Sequence, residues 1–323
     1  MDIVSAAEVH AICDYRKLAA GLLEAHRGPE PLVDRSELQA TGPRGERQTW
    51  FTLPAFQPGV AMGAKLVSVM PANPRLHPEI PAIQALYVLF DGTDGSPVAI
   101  IDATAMTYRK TAADSALGSD LLSASGAKVL LMVGAGALAP HLVAAHRAVR
   151  PSLSEILIWA RRIDRAVALA GEVGGRAVAS LESAVRRADI ISCATASTAP
   201  LVMGAWLKPG AHLDLVGAFS GDMRECDDEA VTKARLFVDS RWFAIDQPGD
   251  FGDPIRRGVI SRDRVEADLF DLARGYQPRR QAGDITLYKN GGGGHLDLFT
   301  ALYIVRARQQ SIAREDDRCS PLN

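Results

Sequence analysis

The chain has 323 residues, 36 Lys+Arg against 38 Asp+Glu, 47% hydrophobic and 23% charged residues, and a mean hydropathy of +0.02. This is the profile of an ordinary globular protein, long enough for two domains. A net charge of −2 supplies no field to gather nucleic acid or an anionic membrane surface, so neither is expected as a partner.

In chain order, residues 6–26 space Val9, Ile12, Leu18, Leu22 and Leu23 as on an amphipathic helix. A loop rich in Pro and Gly follows. Between residues 49 and 102 come short β-prone runs: Trp50-Phe51-Thr52-Leu53, Ala64-Lys65-Leu66-Val67-Ser68-Val69, Leu86-Tyr87-Val88-Leu89-Phe90 and Val98-Ala99-Ile100-Ile101. The last two flank Asp91-Gly92-Thr93-Asp94-Gly95-Ser96, a hairpin turn by its Asp-Gly steps. This half reads as a mostly antiparallel sheet with helices. An Ala-rich helix at 112–123 then leads into Val129-Leu130-Leu131-Met132-Val133, after which continuous apolar strands alternate with helices. That pattern belongs to a parallel sheet covered on both faces. The expected fold class is α/β: a Rossmann-type doubly wound domain at 115–290, and an α+β domain at 1–114 completed by 291–323, with a last amphipathic helix at 297–310.

Gly134-Ala135-Gly136-Ala137-Leu138-Ala139 follows a predicted strand and opens a helix, the GxGxxA form of the dinucleotide fingerprint. The first glycine permits the tight turn, the second admits the pyrophosphate to the backbone, and Ala139 allows close helix packing. The next strand ends Trp159-Ala160-Arg161-Arg162 with no acid at its tip. An acid there would accept from a ribose 2′-hydroxyl, whereas arginine pairs with a 2′-phosphate, so NADPH is expected over NADH unless both arginines are merely solvated. Lys65 sits in an apolar strand, where it either snorkels to solvent or faces an anion. Arg109-Lys110-Thr111, between the sheet region and the next helix, offers two cations to a substrate carboxylate or to water.

Cys13, Cys193, Cys226 and Cys319 lie far apart with no zinc-ligand spacing, and His141 and His146 have none either. Reduced thiols in a cytoplasmic protein are expected, with no metal. The first residues are acidic where a secretory signal would be basic, and no run approaches the ~18 apolar residues that span a bilayer.

The chain resembles the ornithine cyclodeaminase and mu-crystallin family over nearly its whole length. The matching segments are Gly63-Ala64-Lys65-Leu66-Val67-Ser68-Val69 with Asn73-Pro74, Arg109-Lys110-Thr111-Ala112-Ala113, Gly134-Ala135-Gly136, Val216-Gly217-Ala218 running to Arg224-Glu225, and Tyr288-Lys289-Asn290-Gly291 to Asp297. The resemblance implies a homodimer with an N-terminal substrate and dimerisation domain. It implies Lys65 as the active-site lysine, and a substrate carboxylate held by Arg35, by Arg109 or Lys110, and beside Thr111. Cofactor contacts are implied for Gly134, Ala135, Gly136, Ala137, Leu138, Arg161, Arg162, Thr195, Gly217, Lys289 and Asn290. Cyclodeaminases carry an acid two residues after the glycine of their Val-Gly segment; here that place is Phe219, which transfers no proton. The resemblance therefore points to the family's reductases of cyclic imino acids, with a small imino acid as substrate and NADPH as reductant. The alternatives are a cyclodeaminase, an alanine-type dehydrogenase and a mu-crystallin-like binding protein. His295, after a run of four glycines, reads as structural with a catalytic role as its alternative.

Overall fold

Within residues 47–102 buried positions recur at every second residue, as at Ala61, Gly63 and Lys65 and at Ala99 and Ile101, the period of strands with one covered face. The computed structural model folds them into the strands Arg47–Gln57, Ala61–Val69, Ile83–Asp91 and Pro97–Asp102, each antiparallel to the next. It describes residues 1–77, 79–278, 281 and 283–319, with residues 74 and 312–319 described by backbone alone. Asp2–Val4 adds a parallel edge strand, and Leu32–Val33 and Ser36–Thr41 pair with the other edge. One face of this sheet carries the row Leu53, Lys65, Tyr87, Ile101, matched residue to residue across four strands. The helices Tyr15–Arg27 and Gly294–Cys319 pack together, and the second lies against the middle strands. The expected single helix at 6–26 is two, Ala6–Ile12 and Tyr15–Arg27. Asp14 stops the first by capping the second, its carboxylate accepting from the Lys17 N–H.

The chain divides into two units, Met1–Lys110 with the segment from Gly293 onward, and Thr111–Gly292. The boundary falls inside the helix Ala103–Leu122, which starts nine residues before the expected 112, where the Asp102 carboxylate accepts from the Ala105 N–H. The second unit is an eight-stranded parallel sheet in the order Arg176–Ala177, Glu155–Trp159, Val129–Val133, Ile190–Cys193, His212–Leu215, Thr286–Lys289, Arg235–Val238, Val265–Asp268. Leu130, Leu131, Met132 and Val133 are wholly buried, each contributing about 1.5–3 kcal/mol if counted as apolar surface removed from water. From Val129–Val133 the chain runs outward in one direction and then returns to build in the other. That reversal makes the topological switch point where doubly wound sheets bind ligands, at the carboxyl ends of the strands.

Candidate active site

At this switch point lies a cavity of about 390 Å³, lined among others by Gly134, Ala135, Gly136, Arg161, Arg162, Arg165 and Thr195. Gly134 has φ +115°, and a Cβ there would lie 2.5 Å from the Ala194 carbonyl oxygen, so only glycine fits. A Cβ at Gly136 would meet nothing within 4 Å, which leaves the turn open for a close-approaching ligand. Ala137 and Leu138 carry the turn into the helix Ala139–Val149. A glycine turn before a helix, an open second glycine and a cationic rim fit a dinucleotide.

The arginines are not equivalent. Arg162 is tied to Asp164 by two hydrogen bonds, at 3.2 and 2.5 Å. Arg161 and Arg165 form no ion pair among the described residues and keep their charge for the cavity. Sequence reasoning named Arg161 and Arg162 and missed Arg165, which stands on the first turn of the helix Ile163–Val173 just after them.

Thr195 and Gly217 meet at Glu225. The Thr195 N–H and hydroxyl donate to its Oε1 at 2.7 and 2.8 Å, and the Gly217 N–H to its Oε2 at 2.7 Å. Burial pushes the Glu225 carboxyl up to about 8, the nearby Asp250 raising it further and Lys289 opposing. Lys289 and Asn290 are buried with partners inside this unit: Lys289 lies 3.3 Å from Asp250, and the Asn290 amide donates to the Thr111 carbonyl and the Ser115 hydroxyl, both at 3.0 Å. Neither lines the cavity.

In the other unit a second group of charges forms around Asp297, on the first turn of the C-terminal helix. Lys110 Nζ lies 2.7 Å from Asp297 Oδ1, and Lys65 Nζ 3.0 Å from Oδ2. Lys110 also donates to the Gly293 carbonyl at 3.4 Å. The side chains of Lys65, Lys110 and Asp297 are 9%, 1% and 0% exposed. Two ammonium groups share one carboxylate in a buried setting, an arrangement of charge that suits a further anion. Arg109 takes no part: it donates to His10 Nδ1 at 2.9 Å and the Cys13 carbonyl at 3.2 Å, and lies over the Tyr15 ring. Arg35, expected on a strand, sits in the break between two short strands. There it lies opposite Leu53, bonds Glu37 and stacks on Phe51, in the same row of the sheet as Lys65. Asp297 was named in the sequence only as part of a matching loop, and its pairing with Lys65 spans 232 residues.

His295 is buried edge-on to His26 and Phe299, with burial holding its pKa well below the ordinary value. Phe219 is 60% exposed. Among the described residues no group of three or more His, Cys, Asp or Glu could hold a metal, and no helix is long and apolar enough to cross a membrane.

Residues 14–311 match the ornithine cyclodeaminase/mu-crystallin family. The chain belongs to that family. It is 40% identical to the Δ1-pyrroline-2-carboxylate reductase of Paracoccus denitrificans over 299 residues, covering 90% of this chain and 92% of the relative. It is 42% identical to the protein SAR DEFICIENT 4 of Arabidopsis thaliana over 250 residues, 74% of this chain and 76% of that one. In fold it matches the Thermococcus litoralis Δ1-pyrroline-2-carboxylate reductase, solved with NADH and L-proline, with a TM-score of 0.85 at 24% identity over 96% of this chain and 98% of that one.

Proposed function

We propose that the protein is an NADPH-dependent reductase of cyclic imino acids, converting Δ1-pyrroline-2-carboxylate to L-proline and Δ1-piperideine-2-carboxylate to L-pipecolate. The observation that carries this reading is the buried Lys65, Lys110 and Asp297 group, two cations about one carboxylate, in a chain 40% identical to a named reductase of that class. Lys110 is the cation assigned to the substrate carboxylate, because Arg109 is engaged by His10, Cys13 and Tyr15. Arg35, in the row of Lys65, is its second carboxylate partner, and Thr111 follows Lys110 on the same helix.

Reduction gives a hydride to the imine carbon and a proton to the ring nitrogen, so that C=N becomes CH–NH. Bound reduced dinucleotide supplies the hydride. Gly134, Ala135, Gly136, Ala137 and Leu138 would hold its pyrophosphate, Thr195 and Gly217 its nicotinamide half, and Arg161 with Arg165 a 2′-phosphate, which favours NADPH. Lys65 orients the carboxylate and, as the more exposed of the two lysines, is the proton donor assigned to the nitrogen. Much of the rate enhancement is assigned to orientation. The exposed Phe219 stands where cyclodeaminases have their acid, which argues against the lyase reaction.

The protein is further read as a cytoplasmic homodimer. Cys13, Cys193 and Cys226 are buried free thiols. The sheet face opposite Lys65 leaves Leu38, Trp50 and Leu86 exposed at 69%, 43% and 51%, a patch suited to a second copy.

The test is a panel of cyclic imines, 2-oxo acids with ammonia, and ornithine, each followed by the absorbance of NADPH or NADH. Turnover of cyclic imines is expected. Ornithine conversion without it would overturn the reading in favour of a cyclodeaminase, ammonia-dependent oxidation in favour of an amino-acid dehydrogenase, and NADPH binding without any turnover in favour of a binding protein.

A further inference from the structure

Glu225 is fully buried, yet it reaches two separate loops. The first follows the strand Ile190–Cys193 and contains Thr195; the second follows His212–Leu215 and contains Gly217. One carboxylate accepts three hydrogen bonds from them, two on Oε1 from Thr195 and one on Oε2 from Gly217. Both of its side-chain oxygens accept, which an amide in the same place could not do, since one end of an amide is a donor facing an N–H.

The surroundings fix Glu225 in turn. Its own N–H donates to Asp250 Oδ1 at 2.7 Å, and Lys289 faces the other Asp250 oxygen at 3.3 Å. The Glu225 carbonyl accepts from both Leu201 and Val202, at 3.0 Å each, and the neighbouring Arg224 N–H donates to the Ser197 carbonyl at 2.9 Å. Arg224 itself is held by Asp253 and Asp228. A Cβ on Gly217 would lie 2.0 Å from the Thr195 carbonyl oxygen and 2.6 Å from Glu225 Oε1, so the two loops touch only because that position is glycine. Thr195, Ala196, Ser197 and Leu201 all line the cavity beside the glycine turn.

We propose that Glu225 is a positioning residue of the dinucleotide site, holding the Thr195 and Gly217 loops together to receive the nicotinamide half of the cofactor. The inference rests on the dinucleotide reading above. The adenosine half belongs to the side of the glycine turn where Arg161, in the turn after the strand Glu155–Trp159, and Arg165, on the helix Ile163–Val173, stand; the Thr195 loop borders the same cavity, but Glu225 bonds neither arginine.

The distinction gives the test. Binding of NADPH and of adenosine 2′,5′-bisphosphate, which lacks the nicotinamide half, is measured by fluorescence or calorimetry for the wild type, Glu225→Gln and Thr195→Val. Glu225→Gln is expected to weaken NADPH about tenfold or more, since it replaces an acceptor oxygen with an amide donor facing an N–H. Its affinity for the bisphosphate should fall several-fold less, because the phosphates of that ligand meet the arginines and the glycine turn, which Glu225 does not bond. Thr195→Val, which removes only the hydroxyl donor, should show the same selectivity at smaller amplitude and decides the matter if Glu225→Gln does not fold. Equal weakening of both ligands, or of neither, would overturn the proposal. A wild type that binds the bisphosphate and no dinucleotide of either kind would overturn both it and the reading on which it rests.

Discussion

Lys110 and Asp297 form an ion pair at 2.7 Å with neither side chain more than 1% exposed. Lys65 shares the same carboxylate, so the group is one anion between two cations, and its three members respond differently to removal. Asp297→Asn removes the carboxylate that two buried ammonium groups share and should lower unfolding free energy by about 3–5 kcal/mol. Lys65→Met leaves Lys110 and Asp297 as a matched pair and should cost less than about 1 kcal/mol while abolishing turnover. Urea unfolding of both variants, with NADPH binding measured alongside, checks the order. Unchanged turnover in Lys65→Met would remove that lysine from the mechanism.

Arg161, Arg162 and Arg165 all line the dinucleotide cavity, but Asp164 already holds Arg162. Arg161→Ala and Arg165→Ala should each weaken NADPH about tenfold or more, the value of a hydrogen bond to a charged group, with NADH affinity unchanged. Arg162→Ala should weaken NADPH less than either. Equal losses for NADPH and NADH in Arg161→Ala would show that the arginine serves a group common to both dinucleotides.

The doubly wound half was legible because its central strands are continuous apolar runs and its first turn carries a glycine pattern with one physical purpose. Arg176–Ala177 and Val265–Asp268 were not, since a strand of two residues, or one reading Val-Glu-Ala-Asp, has no periodicity to detect. In the other half Ser36–Thr41 is exposed at every position, and Leu38 and Ala40 are its only apolar residues, too few to mark a strand. Lys65 was visible as a cation in an apolar strand, and Lys110 as one of two adjacent cations at the junction between the sheet region and the next helix. Asp297 was not legible as their partner, nor Glu225 as the partner of Thr195 and Gly217, because a buried carboxylate is recognised by what the fold brings to it, and Asp297 lies 232 residues from Lys65.

His295 gives a pH dependence. Burial, with His26 and Lys110 adding to it, holds the folded imidazole well below 6.5. The unfolded chain takes up a proton near its ordinary value of about 6.5, which the folded chain declines. Stability from this group is therefore complete above that pH and falls as pH drops below it. His295→Leu should reduce the loss, so the urea midpoint of the variant should fall less than that of the wild type between about pH 7 and 5. Parallel curves over that range would assign the acid sensitivity to other groups.

The sheet face opposite Lys65 predicts an assembly state. Trp50 stands opposite Leu38 on one side and Ser68 on the other, and Leu86 is matched with Leu66 two residues along, so these side chains share one face. Stable interfaces bury about 800 Å² per partner and are centred on aromatic and aliphatic anchors, and Trp50 with Leu38, Leu66 and Leu86 supplies such a centre. Trp50→Lys combined with Leu86→Lys places two like charges on a patch that meets its own copy across a two-fold axis, so each is repeated by the partner. Sedimentation should give a dimer for the wild type and a monomer for the double variant, with far-ultraviolet circular dichroism unchanged. Because both substitutions lie on the face turned away from Lys65, the monomer should remain folded. A double variant that still sediments as a dimer would move the interface off this sheet.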